Sequence, residues 1–379
     1  MKIGIDIRSL LDKNYSGVSE YSYNLIKKIL EIDKNNEYIF FLNSFSSLPE
    51  NLKFFAEKYN LVHTRFPNKI FNYGMQKVFK IPKIDGLLDK VDLFFMPHIN
   101  FASLSNKTKK IITIHDLSFL RSKNFFSLRK NIWHWSLQVK KLINQFDQIV
   151  VVSENTKNDI IELCEIPEKK IKVIYSGIGK EFRKIPEDNL DLIKIRKKYK
   201  LSENFIFYLG NLEPRKNIGG LLKAYEKFLD LSEKNKKYDL VLAGAWGWKC
   251  KETKKVWNNS KYKNKIKFLG YINKNDKKYL YNLASLFVYP SFYEGFGFPP
   301  LEALFSGSKV VSSFSSSLPE ISKNLFTLVN PYDINSIVLG IQKAIKRPEI
   351  NESELKNIRE DFNWEKTALV YLELFKQFK

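Results

Sequence analysis

Cysteine, methionine and histidine are scarce: two, three and four residues respectively in a chain of 379. Cys164 and Cys250 stand far apart, in no Cys-x-x-Cys or Cys/His spacing. That excludes a disulfide framework and a zinc module and suits a reducing cytoplasm. No run of about 18 uninterrupted apolar residues occurs, so no membrane-spanning helix is expected. The opening MKIGIDIRSL places Lys2, Asp6 and Arg8 inside its apolar alternation, unlike a secretory leader. Repeats with a period of roughly 20 to 50 residues and low-complexity tracts are also missing, which excludes solenoids and propellers.

What is present is a globular composition, 44% hydrophobic, 15% aromatic and 27% charged. The length exceeds what one hydrophobic core usually supports, so two domains of roughly 180 residues are expected. The formal net charge is +22. Residues 51–150 hold 17 basic against 6 acidic side chains, whereas residues 1–50 and 151–180 show no surplus. Two readings account for this: compositional drift towards lysine, and a polyanionic partner such as an anionic membrane surface. Nucleic acid is not expected, because no helix-turn-helix, zinc-finger or RNA-binding signature accompanies the lysines.

Short β-rich runs alternate with helical segments: KIGIDI, YIFFLN, LVHTRF, VDLFFM, KIITIH, QIVVVS and KIKVIY. The alternation predicts parallel βαβ units. Val18–Ile32 places Tyr21, Leu25, Ile29 and Ile32 on one helical face. A linker is expected near residues 177–200, after which a second series begins: FIFYLG, LVLAGA, IKFLG, LFVYP, KVVSS and TLV. Its predicted helices are Ile218–Leu231, Asp276–Ala284, Pro300–Ser306 and Ile334–Ile345. The expected fold class is therefore α/β, with two Rossmann-like, doubly wound parallel-sheet domains. Such domains bind ligands beyond the carboxyl ends of their strands, in a central cleft.

The most informative phrase is YPSFYEGFGFPPLEAL, in which seven residues separate Glu294 from Glu302 and a Gly-Phe-Gly turn precedes Pro299-Pro300. The prolines mark a helix start, where backbone N–H groups of Phe296 and Gly297 can receive an anion such as a diphosphate. Glu302, one to two turns into that helix, suits vicinal ribose hydroxyls, and Glu294 suits sugar hydroxyls. In YLGNLEPRKNIGGLLKAY, Arg215 and Lys216 sit at a strand-to-helix turn, where cations could neutralise a departing diphosphate. Taken alone, that pair would be ordinary solvated surface. KIITIHDLSFL ends a strand at His115-Asp116, where His115 could bond a sugar hydroxyl and carry some positive charge, with Asp116 capping or orienting it. In the NYSGVSEY loop, Gly17 permits close approach to phosphate or acceptor.

Together these phrases resemble the family 4 glycosyltransferases, retaining enzymes of the GT-B architecture, and the likeness runs through nearly the whole chain. It is carried by SGVSEY, TIHDLSFL, VVSENTKNDI, VIYSGIGKEF, YLGNLEPRKN, LVLAGAWGW, IKFLGYI, SFYEGFGFPPLEAL, SSSLPEI and FNWEKTA. The resemblance implies His115, Glu294, Lys216 and Arg215 as catalytic residues. It implies Gly17, Phe296, Gly297, Phe298, Glu302 and Gly244 as donor-binding residues, with Asp116, Ser153 and Asn211 in support. It also implies an acceptor domain over 1–178, a nucleotide-sugar donor domain over 179–363, and a final helix, 364–379, packing back on the first. The Trp246-Gly-Trp248 loop is closest to mannosyltransferase-like members. Many relatives carry an arginine where this chain has Asn211, which leaves phosphate neutralisation to Arg215 and Lys216.

The resemblance implies transfer of a hexose from a nucleotide-diphosphate sugar to a glycan or lipid-linked hydroxyl, with retention and without a cofactor. No Asp-x-Asp pair occurs in the chain, so no metal site and a metal-independent reaction are expected. The enzyme would be cytoplasmic, with peripheral attachment at the inner face of the cell membrane following from the polyanion reading of the charge. Two rivals share the fold: a catalytically silent nucleotide-sugar-binding module, and a nucleotide-sugar epimerase.

Overall fold

A computed structural model describes residues 1–12 and 16–379, those at 50 and 51 by backbone alone. Asn14 and Tyr15 of the NYSGVSEY loop lie outside the described residues. The chain forms two compact units: Met1–Leu117 with Arg129–Gly177 and Phe362–Lys379, and Ser118–Leu128 with Ile178–Asp361. Residues 118–128, which the sequence reading keeps in the first domain, thus group with the second unit.

The first unit is built on seven parallel strands: β1 (Lys2–Asp6), β2 (Glu37–Asn43), β3 (Asn60–Thr64), β4 (Leu93–Met96), β5 (Lys109–Ile114), β6 (Gln148–Val151) and β7 (Ile171–Val173). Their order is β3-β2-β1-β4-β5-β6-β7. The order reverses between β1 and β4, where Ile3 faces Tyr38 on one side and Leu93 on the other. Helices cover both faces, so the central strands are apolar throughout, as in β2, where Tyr38 to Leu42 are all buried. The carboxyl edge therefore concentrates the polar residues that follow each strand: Asp6 at the end of β1, His98 after β4 and His115 after β5.

Helix Gly17–Ile32 buries Tyr21, Leu25, Ile26, Ile29 and Leu30, while Ile32, its last residue, is only half-buried. The final helix, Trp364–Lys376, packs on it. The Tyr371 hydroxyl lies 2.6 Å from that of Tyr21 and 2.8 Å from Thr113 Oγ1, a buried chain of three hydroxyls. A side chain on Gly177 would come within 2.2 Å of the Trp364 nitrogen, so glycine is what lets the final helix start against this strand end.

The second unit has six parallel strands: β8 (Phe205–Leu209), β9 (Asp239–Ala243), β10 (Ile266–Gly270), β11 (Leu286–Tyr289), β12 (Val310–Ser313) and β13 (Thr327–Val329). Their order, β10-β9-β8-β11-β12-β13, reverses beside β8, again placing a switch point between β8 and β11. Helices Ile218–Asp230, Lys277–Leu283, Phe298–Phe305 and Ile334–Lys346 stand where the apolar periodicity places them, within a residue or two.

Several segments differ from the sequence reading, among them helices Lys251–Asn258 and Glu352–Asp361, which it does not name. The expected linker holds a helix, Leu190–Lys198, because the Asn189 side chain caps it on the Asp191 N–H and Leu192 and Ile195 give it a buried face. A helix at Ile70–Phe79 also appears where no element was expected. Phe71 stacks on Phe41 and Phe66, and Gln76 bonds Pro82 O and the Ser103 N–H, so two anchors hold it without a continuous apolar stripe. Among the described residues, no helix is long and apolar enough to cross a membrane.

Candidate functional site

In the second unit, strand β8 leads through Asn211 and Glu213 into a tight turn, Pro214–Lys216. Asn217 then adopts a left-handed conformation (φ 56°) before helix Ile218–Asp230 begins. Asparagine tolerates that region better than most residues. The turn throws Lys216 inward: its Nζ donates to Glu294 Oε1 at 2.6 Å and to the Tyr289 hydroxyl at 2.7 Å. It also lies over the Tyr289 ring. Arg215 donates to the Tyr293 carbonyl at 3.0 Å, to Glu294 Oε2 at 3.4 Å and to Glu213 Oε1 at 3.3 Å. Glu294 additionally accepts from the Ser291 hydroxyl. Its own N–H donates to Ser316 Oγ, and Ser317 Oγ donates to the Glu294 and Phe296 carbonyls.

Three residues separated by up to 79 positions in sequence therefore share one buried cluster, with the Lys216 and Glu294 side chains only 9% and 8% exposed. Burial alone would raise the Glu294 carboxyl pKa, but the Lys216 and Arg215 charges and the hydrogen bonds overcome it and leave the pKa below the ordinary value. Lys216 moves the other way for a cation. Burial and the neighbouring Arg215 lower its pKa, and Glu294 and Glu213 offset this only in part. The cluster holds an ionised carboxylate and a lysine whose proton would be retained more firmly if a further anion approached.

The loop after Glu294 is fixed by sterics. Gly297 has φ 114°, and a Cβ there would stand 2.7 Å from Ile321 Cδ1 and 2.8 Å from Leu318 Cδ2, so only glycine fits. Helix Phe298–Phe305 follows, with Pro299 and Pro300 in its first turn. Two prolines remove two donors, so N–H groups offered to an anion at this end must come from Phe296, Gly297 and Phe298. Gly244, after β9, has φ 132°, and a side chain would meet Gly210 O at 2.0 Å, so glycine brings the two strand-end loops together.

Glu302 belongs to a separate network. It is 1% exposed, accepting from Lys277 Nζ at 2.6 Å and from the Tyr281 hydroxyl at 2.8 Å. Lys277 and Tyr281 were not singled out in the sequence, because a lysine and a tyrosine on a charged surface helix carry no local signal. Tyr289 and Ser291 were likewise missed, although both lie in the phrase that revealed Glu294. Asn211 is exposed.

In the first unit, His115 Nε2 lies 2.9 Å from the Pro97 carbonyl, and its ring meets Tyr21 edge-on at 4.6 Å. A carbonyl only accepts, so Nε2 carries the proton and Nδ1 is the acceptor nitrogen. Burial lowers the His115 pKa more than Pro97 and Asp116 raise it. That direction favours the neutral imidazole over the positive charge that the sequence reading allows. Ser153 caps helix Glu154–Cys164 through the Thr156 N–H at 3.1 Å, and Thr156 Oγ1 donates to the His115 carbonyl at 3.3 Å, a structural support. Gly17 opens helix Gly17–Ile32 and is exposed.

Comparison with known proteins agrees with this architecture. Residues 15–182 match the model of Glycosyltransferase Family 4, and residues 191–361 match that of Glycosyl transferases group 1. O-antigen chain mannosyltransferase B of Escherichia coli is 29% identical over 287 residues, covering 75% of this chain and 72% of the relative. The serotype-specific mannosyltransferase WbdA of Escherichia coli is 30% identical over 275 residues, 70% of this chain, and the match spans 33% of that longer protein. Among solved structures, sucrose-phosphate synthase from Thermosynechococcus elongatus superposes with a TM-score of 0.74 at 17% identity, covering 100% of this chain and 98% of the other. HepE of Anabaena, solved with UDP and glucose, gives 0.72 at 16% identity over 100% of both chains. Both share the fold. With one family model on each unit and mannosyltransferases among its relatives, the chain belongs to the family 4 glycosyltransferases, hexosyltransferases of GT-B architecture.

Proposed function

We propose that the chain transfers a hexose, with mannose the first candidate, from a nucleotide-diphosphate sugar to a hydroxyl of a glycan or lipid-linked acceptor, with retention of configuration. The observation that carries this reading is the buried Lys216–Glu294–Arg215 cluster at the carboxyl edge of β8 and β11. The sugar is suggested by the mannosyltransferase relatives. In this reading Lys216 and Arg215 meet the charge that grows on the departing diphosphate, and N–H groups of Phe296, Gly297 and Phe298 hold its oxygens. Glu294 accepts from sugar hydroxyls through the lone pairs that its present partners leave over. Gly244 leaves room for the donor beside β9.

Glu302 with Lys277 forms the ribose end of the pocket, and the depth of Glu302 means that a ribose hydroxyl reaches it only by displacing the lysine or the tyrosine. His115, neutral and with Nδ1 as acceptor, takes a hydrogen bond from a hydroxyl rather than stabilising charge, and Asp116 orients it. Gly17 lets phosphate or acceptor approach the backbone. Ser153 and Asn211 act in support only. Rate enhancement then comes from positioning and from fixed charge facing the leaving group, and neither a metal nor a cofactor takes part. The acceptor is met at the inner surface of the cell membrane.

A thermal-shift panel of UDP-, GDP- and ADP-sugars tests the reading, since a ligand selective for the folded state raises the melting temperature by mass action. One nucleotide-sugar should stabilise the protein and then act as donor, the product's anomeric configuration being read by NMR. If no nucleotide-sugar stabilised the chain or gave transfer, the proposal would fail.

A further inference from the structure

Helix Ile70–Phe79 is fixed to the first unit by Phe71 and Gln76, which leaves its other face outward. That face and the turn after it expose Ile70, Val78, Phe79 and Ile81 at 58%, 66%, 70% and 61%. Residues 129–137 lie beside it. Tyr73 meets Phe101, Phe101 meets Trp133, and Lys77 Nζ sits 5.6 Å above the Trp135 ring. This second segment adds Ile132, 54% exposed, and Trp135, 77% exposed. Single exposed apolar side chains are ordinary on a soluble protein, whereas six large ones on two touching segments are not.

Along the chain the two segments carry charge of one sign. From Arg65 to Lys83 there are five basic residues and no acidic one, and from Arg129 to Phe146 four basic and none acidic. This locates part of the positive surplus found in the sequence and gives it a chemistry. A protein–protein interface is depleted in lysine, yet Lys69, Lys77, Lys80 and Lys83 lie in or beside the first of these segments and Lys130 in the second. Single-stranded nucleic acid would use the aromatic rings and the cations, but Ile70, Val78, Ile81 and Ile132 present no face on which a base could stack. Aliphatic and aromatic side chains interleaved with cations match the boundary between lipid headgroups and acyl chains, where tryptophan and phenylalanine settle and lysines reach the phosphates.

We propose that the surface formed by helix Ile70–Phe79, Ile81 and residues 129–135 is where this protein docks on an anionic lipid bilayer, inserting Phe79, Trp135 and their aliphatic neighbours. The assignment deepens the reading of a membrane-borne acceptor and rests on it, but lipid binding is measured without any sugar, so the two can fail separately. Each basic side chain near such a surface is worth roughly a fivefold gain in partitioning.

Co-sedimentation of the full chain with vesicles of phosphatidylcholine alone and with phosphatidylglycerol added tests the proposal. Binding should be at least tenfold stronger to the anionic vesicles. The double variant Phe79→Ser/Trp135→Ser should lose most of it at unchanged melting temperature, since both side chains are exposed. The triple variant Lys69→Gln/Lys80→Gln/Arg129→Gln should fall by about two orders of magnitude and show a shallower salt dependence, since Arg65, Lys77, Lys83 and Lys130 remain. Equal binding to both vesicle types, wild-type binding by the Phe79/Trp135 variant, or capture of single-stranded RNA in preference to vesicles would each overturn it.

Discussion

Substituting Glu294 by glutamine keeps the shape of the side chain and deletes the anion that Lys216 and Arg215 share. Arg215 retains Glu213 at 3.3 Å and the Tyr293 carbonyl, but Lys216 is left with the Tyr289 hydroxyl and an amide oxygen. Removing one partner of a buried ion pair strands the other, a loss of about 3 kcal/mol or more. Lys216→Met is the milder change. Glu294 keeps Arg215 and Ser291, so only a charge-assisted hydrogen bond is lost, about 1–3 kcal/mol. The double variant contains no stranded lysine and should be less destabilised than the sum of the two singles by roughly 1–3 kcal/mol. In a unit of this size each kcal/mol moves the melting temperature by about 2–4 °C, so Glu294→Gln should melt at least roughly 6 °C below wild type. Calorimetric melts of the four proteins give the coupling directly. Strict additivity, or Glu294→Gln melting with wild type, would refute the idea that one carboxylate neutralises a buried lysine here.

Three further outcomes are expected. His98 is buried with neither ring nitrogen hydrogen-bonded, and burial, opposed by the charge of Asp6 and aided by that of Arg8, sets its pKa at about 4 against an ordinary 6.5. The folded state refuses a proton that the unfolded chain accepts, so stability present above pH 6.5 should be lost towards pH 4, by about 3 kcal/mol, and His98→Leu should flatten that slope in urea melts taken across the range. Gly297→Ala should cost about 1–3 kcal/mol and weaken nucleotide-sugar binding in calorimetry, because the left-handed backbone and the Ile321 and Leu318 methyls leave no place for a Cβ. Transfer should survive excess EDTA, with Arg215 and Lys216 supplying the charge; activity lost on chelation and restored by Mg²⁺ would show that a metal does that work instead.

Much of the fold was legible because parallel strands buried on both faces read as apolar runs, and thirteen of them stand where the runs do. The helices at Ile70–Phe79 and Leu190–Lys198 were not, the first held by two anchors and the second by one short apolar pair in a highly charged stretch. In the site, glycines and prolines betray loop geometry, so Gly297, Pro299 and the Arg215–Lys216 turn could be picked out. Hydroxyl and lysine partners leave no such trace: Tyr289 takes its role only once strands β8 and β11 lie side by side, and Lys277 and Tyr281 only once their helix packs on helix Phe298–Phe305. The lowered pKa of His115 was equally hidden, since it follows from burial that outweighs the Pro97 carbonyl, 18 positions away, and Asp116.

The central claim, that Glu294 reads the sugar while Lys216 serves the diphosphate, is tested most directly by calorimetry of Glu294→Gln with two ligands, run well below its melting temperature. The nucleoside diphosphate should bind within a few-fold of wild type, while the intact nucleotide-sugar should lose its additional affinity and its turnover. Loss of diphosphate binding together with the sugar, or wild-type use of the nucleotide-sugar, would contradict it.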